Sequence, residues 1–362
     1  MHIVIDARII NSSTGRYVER LLHYLELIDT TNTYTVLVPT KDLTFWLPTN
    51  PNFSLKACDY TNYSFGEQWG MKRLLDHLHA DLVHFCMPQQ PILYRGPHVT
   101  TFHDLTLLRT YNSDKNWLVF HIKQLIGQFV FRAAARTSRM LIAPTEFTKQ
   151  DVVKTLHVGE QKVAVTYEAA DVATDQLEPY AHPFTESILY VGQQSDYKNI
   201  KRLGDAHQQL ITTHPNLGLI LVGKSNASIE RNKAYFAEKG YKNILFTGFI
   251  EDSQRDWLYA NAKAYVFPSL MEGFGLPGLE AMGYGAPVVS SNATCLPEVY
   301  GDAAHYFDPT NTHAMARAID DVISNDSLRQ SLIEKGHAQL AQYSWRRMAE
   351  QTLAVYERAL KQ

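Results

Sequence analysis

The chain has 362 residues, of which 45% are hydrophobic and 20% charged, and its net charge is −3. A chain of this length exceeds the size at which one hydrophobic core stops growing, so we expect two domains. The slightly acidic charge balance argues against nucleic-acid binding, which requires a concentrated basic field. Three cysteines without a C-x-x-C spacing indicate neither a disulfide framework nor a zinc site, and this count fits a reducing cytoplasm.

Short β-branched runs alternate with helical stretches, a pattern typical of parallel strands joined by crossover helices. In the N-terminal half the predicted strands are 2–7, 33–39, 52–57, 81–85, 98–104, 139–145 and 162–167. The first apolar run is predicted to be a strand and not a signal peptide, because it lacks a basic leader and polar residues follow it at once. Helices are predicted over 16–28 and 116–136, and no stretch has the ~20 uninterrupted apolar residues of a membrane span.

A second series of predicted strands resembles a complete nucleotide-binding sheet. Its members are 187–192, 217–223, 243–248, 263–269, 287–291 and 304–307. The preceding segment, 172–187, is polar, contains two prolines and lacks apolar periodicity, so it is predicted to join two domains. The prediction is two doubly wound α/β domains facing each other across a cleft, residues 1–175 and 176–345, with a last helix at 346–362 packing back on the first.

A glycine-rich loop follows the strand at 263–269. The stretch GFGLPG, from Gly273 to Gly278, spells G-x-G-x-x-G, and Pro277 begins a predicted helix. A dinucleotide loop would also need a carboxylate at the tip of the next strand and a place in the first strand-to-helix turn of its domain, and both are missing. The loop is instead predicted to offer helix N–H groups to an anion or to hydroxyls, with a plain tight turn as the alternative.

Two glutamates bracket this loop, with seven residues between them. Glu272 is predicted at the mouth of the loop and Glu280 in the first turn of the helix, where both can face one ligand. A carboxylate is the usual acceptor for paired sugar hydroxyls. The pair therefore favours a ligand that carries such hydroxyls.

The stretch 271–309 closely resembles the retaining glycosyltransferases of family 4, which have the GT-B fold of two Rossmann-like domains. The resemblance covers the two glutamates, a G-x-P-V turn, an SN pair, and LPEV followed by GDAA. Upstream, STGRYVERL from Ser13, FHDL from Phe102, APTEFTKQDV from Ala143 and LYVGQQSDYKN from Leu189 extend it to essentially the whole chain.

The resemblance implies that a sugar nucleotide binds mainly to the C-terminal domain and that the acceptor binds mainly to the N-terminal domain. Glu280 would hold the nucleotide ribose, Glu272 would lie near the transferred sugar, and Lys198 would pair with the diphosphate. The other residues expected to bind the donor are Gly15, Gln193, Arg202, Gly273, Phe274, Gly275 and Leu276. Because Gln193 stands where many relatives carry Arg, the diphosphate charge would depend on Lys198, Arg202 and helix N-termini.

His103 lies at the end of an apolar strand, from which doubly wound folds place residues into the ligand cleft. Such a histidine is more often structural, but the resemblance favours a contact to the donor sugar near the reacting carbon. The expected catalytic residues are thus Glu272, Lys198 and His103. No D-x-D element is present, so no metal cofactor is indicated. Retention, by front-face attack without a protein nucleophile, is implied by the resemblance.

The expected reaction moves a mannose- or glucose-type hexose from a GDP- or UDP-sugar to a saccharide or lipid-linked saccharide. Two alternatives stay open, a sugar-phosphate-using phosphorylase and a non-catalytic sugar-nucleotide-binding protein. Segment 115–139 is apolar with interspersed basic residues. It is either a peripheral membrane contact or a core-facing helix with solvated basic positions.

Overall fold

The computed structural model describes residues 1–110, 117–173 and 177–362, and describes 117–123 by their backbone alone. These residues divide into two compact units. The first unit contains Met1–Leu108, His121–Glu168 and Ser344–Gln362, and Ala169–Tyr343 forms most of the second. The C-terminal end of the chain therefore belongs to the first unit.

The strands of the described residues form two parallel sheets, and their positions follow the predicted segments. In chain order they are β1 (His2–Asp6), β2 (Thr33–Val38), β3 (Phe53–Ala57), β4 (Leu82–Phe85), β5 (His98–Thr101), β6 (Met140–Ala143), β7 (Val163–Val165), β8 (Glu186–Val191), β9 (Leu217–Val222), β10 (Ile244–Gly248), β11 (Ala264–Phe267), β12 (Val288–Ser291) and β13 (Ala304–Phe307).

Helices follow most of these strands, and several begin at a Ser, Thr or Asn whose side chain caps the first turn. They are α1 (Gly15–Ile28), α2 (Lys72–Leu78), α3 (Thr106–Arg109), α4 (Trp117–Thr137), α5 (Glu146–Leu156), α6 (Ile200–Leu210), α7 (Ala227–Glu238), α8 (Asp252–Asn261), α9 (Leu276–Gly283), α10 (Leu296–Tyr300), α11 (Thr312–Ser324), α12 (Asp326–Leu340) and α13 (Trp345–Leu360). A π-helical segment, Gly66–Met71, precedes α2, and the 3-10 helices are Thr40–Asp42, Glu160–Lys162 and Asp196–Lys198.

The first sheet has the order β3-β2-β1-β4-β5-β6-β7. On one face, Phe85 of β4 packs in a cluster with Met71, the last residue of the π-helical segment, and with Leu75 of α2. Phe85 lies opposite Thr100, and Thr100 lies opposite Leu141, so these side chains share that face. Leu141 packs in turn against Phe131 of α4. The π-helical segment, α2 and α4 therefore cover the same face of the first sheet.

The other face of the first sheet is covered by α1 and α13, which pack against each other. His84 of β4 points to this side, with Nδ1 2.7 Å from the hydroxyl of Tyr356 in α13. Burial lowers the pKa of His84 to about 3, so the ring is neutral at physiological pH. Arg139 also donates from Nη1 to the carbonyl of Ala359 at 2.9 Å. These contacts attach the C-terminal helix to the first sheet.

The second sheet has the order β10-β9-β8-β11-β12-β13. Its strand order reverses between β8 and β11, as that of the first sheet does between β1 and β4. In doubly wound sheets, ligands bind outside the carboxyl ends of the strands at this point of reversal. The predicted α/β class with two doubly wound sheets is confirmed. The linker predicted at 172–187 starts four residues after Glu168, where the N-terminal part of the first unit ends, and its residues 174–176 lie outside the described part.

Candidate functional site

The loops after β8 and β11 lie side by side, because these two strands are neighbours at the reversal point of the second sheet. The first loop carries Gln193 and Lys198, and the second carries Glu272 and the glycine motif. The backbone N–H of Leu270 donates to the carbonyl of Tyr197 at 2.8 Å, which joins the two loops directly. Residues 74 positions apart in the chain thus meet at one edge of the sheet.

Lys198 and Glu272 form an ion pair, with Nζ 2.6 Å from Oε1. Their side chains are 15% and 12% exposed, so the pair is largely shielded from water yet open to a ligand. Burial by itself lowers the pKa of Lys198, but the charge of Glu272 and the neighbouring phenols raise that pKa above its ordinary value. The ammonium group therefore stays charged at neutral pH. Its Nζ also lies 5.0 Å from the centre of the Tyr197 ring, a cation–π contact.

Asn199 holds the loop that carries Lys198. Its backbone has a φ of 64°, a left-handed conformation that asparagine tolerates well. Its Nδ2 donates to the carbonyls of Pro268 at 3.0 Å and Pro309 at 2.8 Å. Arg202 donates from Nη1 to Oδ1 of Asn199 at 2.9 Å. Arg202 thus stabilises the loop through Asn199, the residue that follows Lys198.

The glycine loop is held by buried side chains beneath it. Gly275 has a φ of 103°, and a Cβ there would lie 2.5 Å from the hydroxyl of Tyr300. That hydroxyl donates to the carbonyl of Gly275 at 2.5 Å, and Sγ of Cys295 donates to the carbonyl of Glu272 at 3.3 Å. The backbone of the loop is therefore preorganised, and only glycine fits at position 275.

The rest of the motif leads into α9. Gly273 and Phe274 precede the helix, and Leu276 is its first residue. The ring of Phe274 packs edge-on against Tyr343, with the ring centres 5.6 Å apart. Because the first N–H groups of a helix have no acceptor within the helix, the start of α9 can bind an anion or a hydroxyl.

Glu280 is the fifth residue of α9, because the helix begins at Leu276. It therefore starts the second turn, and its predicted place in the first turn is wrong. The side chain is buried, and Oε2 accepts a hydrogen bond from the hydroxyl of Tyr259 at 3.3 Å. Burial opposes the charge of nearby Arg255, but Glu280 and Asp256 raise the pKa of that guanidinium above its ordinary value. Glu280 thus lies beside a tyrosine hydroxyl and near the guanidinium of Arg255, which itself pairs with Asp252 and Asp256.

Gln193 is exposed at the start of the loop after β8. Its backbone carbonyl accepts a hydrogen bond from the hydroxyl of buried Tyr190, which fixes its main chain. The amide side chain carries no charge. At this loop the positive charge facing Glu272 comes from Lys198.

His103 lies two residues after β5, at the carboxyl end of the first sheet. Its Nε2 is 3.0 Å from the carbonyl oxygen of Cys86, and since a carbonyl only accepts, Nε2 carries the donated proton. Its Nδ1 is 3.4 Å from Oε1 of Glu168, a buried carboxylate just after β7. The ring of Tyr17 packs edge-on at 4.8 Å. The imidazole therefore contacts residues from two other loops and from α1.

Gly15 is the first residue of α1, two positions before Tyr17. A Cβ at Gly15 would lie 1.9 Å from the carbonyl oxygen of Ile10, so no side chain fits. The glycine is thus required by the packing of its own loop. Its contact with a donor remains a prediction.

The structure brings the predicted residues together within each unit. In the second unit Lys198 contacts Glu272, and residues 273–276 follow in the same loop. In the first unit Tyr17 links the start of α1 to His103. Sequence reasoning missed Glu168, although the position that singled out His103, just past the carboxyl end of a strand, applies to it equally.

In the described part of the chain, no three or more His, Cys, Asp or Glu residues are grouped so that they could hold a metal ion. Cys58, Cys86 and Cys295 are buried free thiols. None of the helices described has the length and apolar character needed to cross a membrane.

The chain is similar in sequence to two mannosyltransferases of Escherichia coli. It is 29% identical over 287 residues to the O-antigen chain mannosyltransferase B. The aligned region covers 73% of this chain and 74% of that protein. It is 28% identical over 295 residues to the serotype-specific mannosyltransferase WbdA. That match covers 78% of this chain but only 36% of the longer WbdA.

Solved structures share the fold at low sequence identity. Sucrose-phosphate synthase from Thermosynechococcus elongatus superposes with a TM-score of 0.79 at 17% identity, covering 99% of this chain and 98% of that one. Anabaena HepE in complex with UDP-glucose superposes with a TM-score of 0.74 at 17% identity, covering 99% of both chains. With two sheets that each reverse their strand order, this likeness defines a GT-B protein with two Rossmann-like domains.

Family models match both halves of the chain. The model described as Glycosyltransferase Family 4 matches residues 16–174, and the model described as Glycosyl transferases group 1 matches residues 181–339. The chain therefore belongs to glycosyltransferase family 4, and it is a glycosyltransferase.

Proposed function

We propose that the protein transfers a mannose- or glucose-type hexose from a nucleotide diphosphate sugar to a glycan or lipid-linked saccharide, with retention of the anomeric configuration. The observation that carries this proposal is the ion pair of Lys198 and Glu272 beside the glycine loop. The mannosyltransferase relatives and the UDP-glucose bound by Anabaena HepE support a hexose donor. GDP and UDP are both donors to test.

Lys198 stabilises the leaving group in this proposal. An ammonium group has three donors, so Nζ can donate to a diphosphate oxygen while it keeps its bond to Glu272. The charge that develops on the departing diphosphate is then met by a cation already in place. The second unit binds the rest of the donor, with Glu280 on the ribose hydroxyls, and with Glu272 and the loop at 273–276 on the sugar.

Transfer proceeds on one face of the sugar. The acceptor hydroxyl oxygen forms a bond to the anomeric carbon, and the bond from that carbon to the diphosphate oxygen breaks. The hydroxyl proton passes to the departing diphosphate. Because the acceptor oxygen attacks the anomeric carbon directly, no protein carboxylate acts as a nucleophile. His103, whose ring is fixed by Cys86 and Glu168, contacts the sugar near the reacting carbon.

The proposed reaction needs no metal ion, because Lys198 and the start of α9 supply positive charge to the diphosphate. Treatment with EDTA is therefore expected to leave turnover unchanged. We also propose a cytoplasmic location, which the three buried free thiols support.

The test is a panel of GDP-, UDP- and ADP-linked hexoses, incubated with the purified chain with and without saccharide acceptors. We expect acceptor-dependent release of one nucleoside diphosphate and a product whose anomeric configuration, read by NMR, matches that of the donor. Sugar 1-phosphate formed only when inorganic phosphate is added would instead identify a phosphorylase. Nucleotide binding without any sugar release, even by hydrolysis, would identify a binding protein.

A further inference from the structure

The loop after β12 contains a residue in an unfavourable backbone conformation. Thr294 has a φ of 56°, in the left-handed region. Among the described residues, six other than glycine have a positive φ, and Thr294 is the one with a β-branched side chain. Such a conformation is costly for a β-branched residue, and it persists only where the surrounding contacts fix it. The loop lies at the carboxyl edge of the second sheet, because β12 is the neighbour of β11.

The contacts of Thr294 lead to Glu272. Its Oγ1 accepts a hydrogen bond from the backbone N–H of Glu272 at 3.1 Å. The next residue, Cys295, donates from Sγ to the carbonyl of Glu272 at 3.3 Å. In an extended chain successive side chains point to opposite sides, whereas here two consecutive side chains reach the same residue. The left-handed turn at Thr294 permits this arrangement.

These two bonds hold both of the peptide groups that flank the Cα of Glu272. The N–H belongs to the peptide group before the Cα and the carbonyl to the one after it. Because a residue has only two soft backbone dihedrals, the two bonds fix the direction in which the side chain leaves the backbone. The carboxylate is held at its far end by Nζ of Lys198, at 2.6 Å. Glu272 is thus held at its backbone and at its carboxylate.

We propose that Thr294 is a positioning residue, whose hydroxyl and strained backbone hold Glu272 in the direction needed to contact the transferred sugar. This inference rests on the proposed function, in which Glu272 contacts that sugar. Thr294 acts through Glu272 and takes no part in the chemistry. Because a small displacement of a group at the reacting sugar slows transfer, the strain at Thr294 is a loss of stability that activity requires.

Three replacements of Thr294 separate the effect of the hydroxyl from that of the strain. Thr294→Ser keeps the hydroxyl and should keep the native kcat. Thr294→Val keeps the β-branch but loses the acceptor, so kcat should fall about tenfold, the equivalent of one lost hydrogen bond. Thr294→Gly relieves the strain but also loses the acceptor. Its kcat should fall about tenfold while its melting temperature stays the same or rises.

The matched control for strain is His157→Gly. His157 also has a φ of 56°, but it follows the last residue of α5 in the first unit. Its replacement should raise the melting temperature by about 2–4 °C and leave kcat unchanged. Calorimetry and steady-state kinetics, with the donor found in the panel, measure both quantities for every variant.

A double-mutant cycle tests whether Thr294 acts through Glu272. Glu272→Gln should lower kcat, and adding Thr294→Val to that variant should lower it no further. A role limited to folding would instead lower kcat by the same factor in both backgrounds. Free GDP or UDP lacks the sugar, so Thr294→Val should bind the nucleoside diphosphate with native affinity in isothermal titration calorimetry.

The inference is overturned if Thr294→Val or Thr294→Gly keeps the native kcat. It is also overturned if kcat follows the melting temperature across the variants, or if the two replacements in the cycle act independently. In each of these cases a lowered kcat in Glu272→Gln leaves the proposed function standing. A native kcat in Glu272→Gln would instead contradict the role of Glu272 in the proposed function, and this inference with it.

Discussion

The carboxyl ends of the two sheets both carry a basic residue paired with carboxylates, but the two pairs differ in accessibility. In the first unit, the side chain of Arg8 is 4% exposed and those of Asp6 and Glu67 are 1% exposed. In the second unit, Lys198 and Glu272 are 15% and 12% exposed. Both pairs lie near the reversal of strand order in their sheet.

The hydrogen-bonding capacity of the two cations differs in the same direction. Arg8 donates from Nε and Nη2 to Asp6, each at 2.8 Å, from Nη2 to Glu67 at 3.0 Å, and from Nη1 to the carbonyl of Tyr60 at 2.7 Å. Lys198 donates to Glu272 and is otherwise flanked by aromatic rings. A saturated buried pair serves the fold, whereas an accessible cation with donors to spare suits a ligand.

The largest effect is expected from a substitution that breaks the buried ion-pair network of Arg8. Arg8→Ala leaves the carboxylates of Asp6 and Glu67 buried without their cation, and should lower the free energy of unfolding by about 3–5 kcal/mol. Urea denaturation of the full chain measures this loss. The control is Arg346→Ala, which removes an exposed ion pair with Glu350 and should cost about 1 kcal/mol or less. Equal losses in the two variants would refute a structural role specific to Arg8.

Replacing the accessible cation should affect catalysis. Lys198→Ala should lower kcat by about 10²–10³-fold, the usual effect of removing one group that stabilises transition-state charge. Steady-state kinetics with the donor found in the panel measures the loss. Lys201→Ala is the matched control, because Lys201 lies in α6 with its Nζ over the Tyr235 ring and should not affect turnover. Similar kcat values for both variants would remove Lys198 from the mechanism.

A third prediction concerns the first sheet, where the carboxylate of Glu168 lies beside His103 and is expected to orient its ring. Glu168→Gln should lower kcat about tenfold with KM unchanged, because only a carboxylate forms an ion pair with the ring when both of its nitrogens carry protons. Glu168→Asp should recover part of that loss. A change confined to KM, or a lowered melting temperature with normal kcat, would contradict a positioning role.

The smallest expected effect is a gain in affinity for the nucleoside diphosphate. Gln193→Arg adds a cation on the exposed loop before Lys198 and should tighten nucleoside diphosphate binding by about two- to fivefold, as expected for an exposed charge pair. Isothermal titration calorimetry measures it. Gln330→Arg, at an exposed position of α12, is the control for nonspecific charge. Equal gains in both variants would indicate that Gln193 is remote from the diphosphate.

The strands could be predicted because parallel strands are buried on both faces and read as continuous apolar runs. The run LGLILV is an example, since β9 (Leu217–Val222) is buried throughout and lies within the predicted 217–223. Helix starts are less sharply marked. Pro277 is compatible with either of the first two helical positions, which is why the turn that holds Glu280 was misplaced.

Contacts between distant loops could not be read from local patterns. The pair of Lys198 and Glu272 depends on β8 and β11 being neighbours, which only the sheet order establishes. The contact between Glu168 and His103 likewise depends on the loops after β4 and β5, which place the His103 ring beside Glu168. The exposure of Leu125 and Phe129 likewise depends on which side of α4 packs against the sheet. The sequence does not show which side that is, because both sides of the helix carry apolar residues.

A crystal structure of the chain with a bound nucleoside diphosphate tests the central claim most directly. We predict that Nζ of Lys198 lies within hydrogen-bonding distance of a diphosphate oxygen and that the carboxylate of Glu280 accepts hydrogen bonds from the ribose hydroxyls. A nucleotide bound away from the loops after β8 and β11, with the pair of Lys198 and Glu272 untouched, would contradict the account.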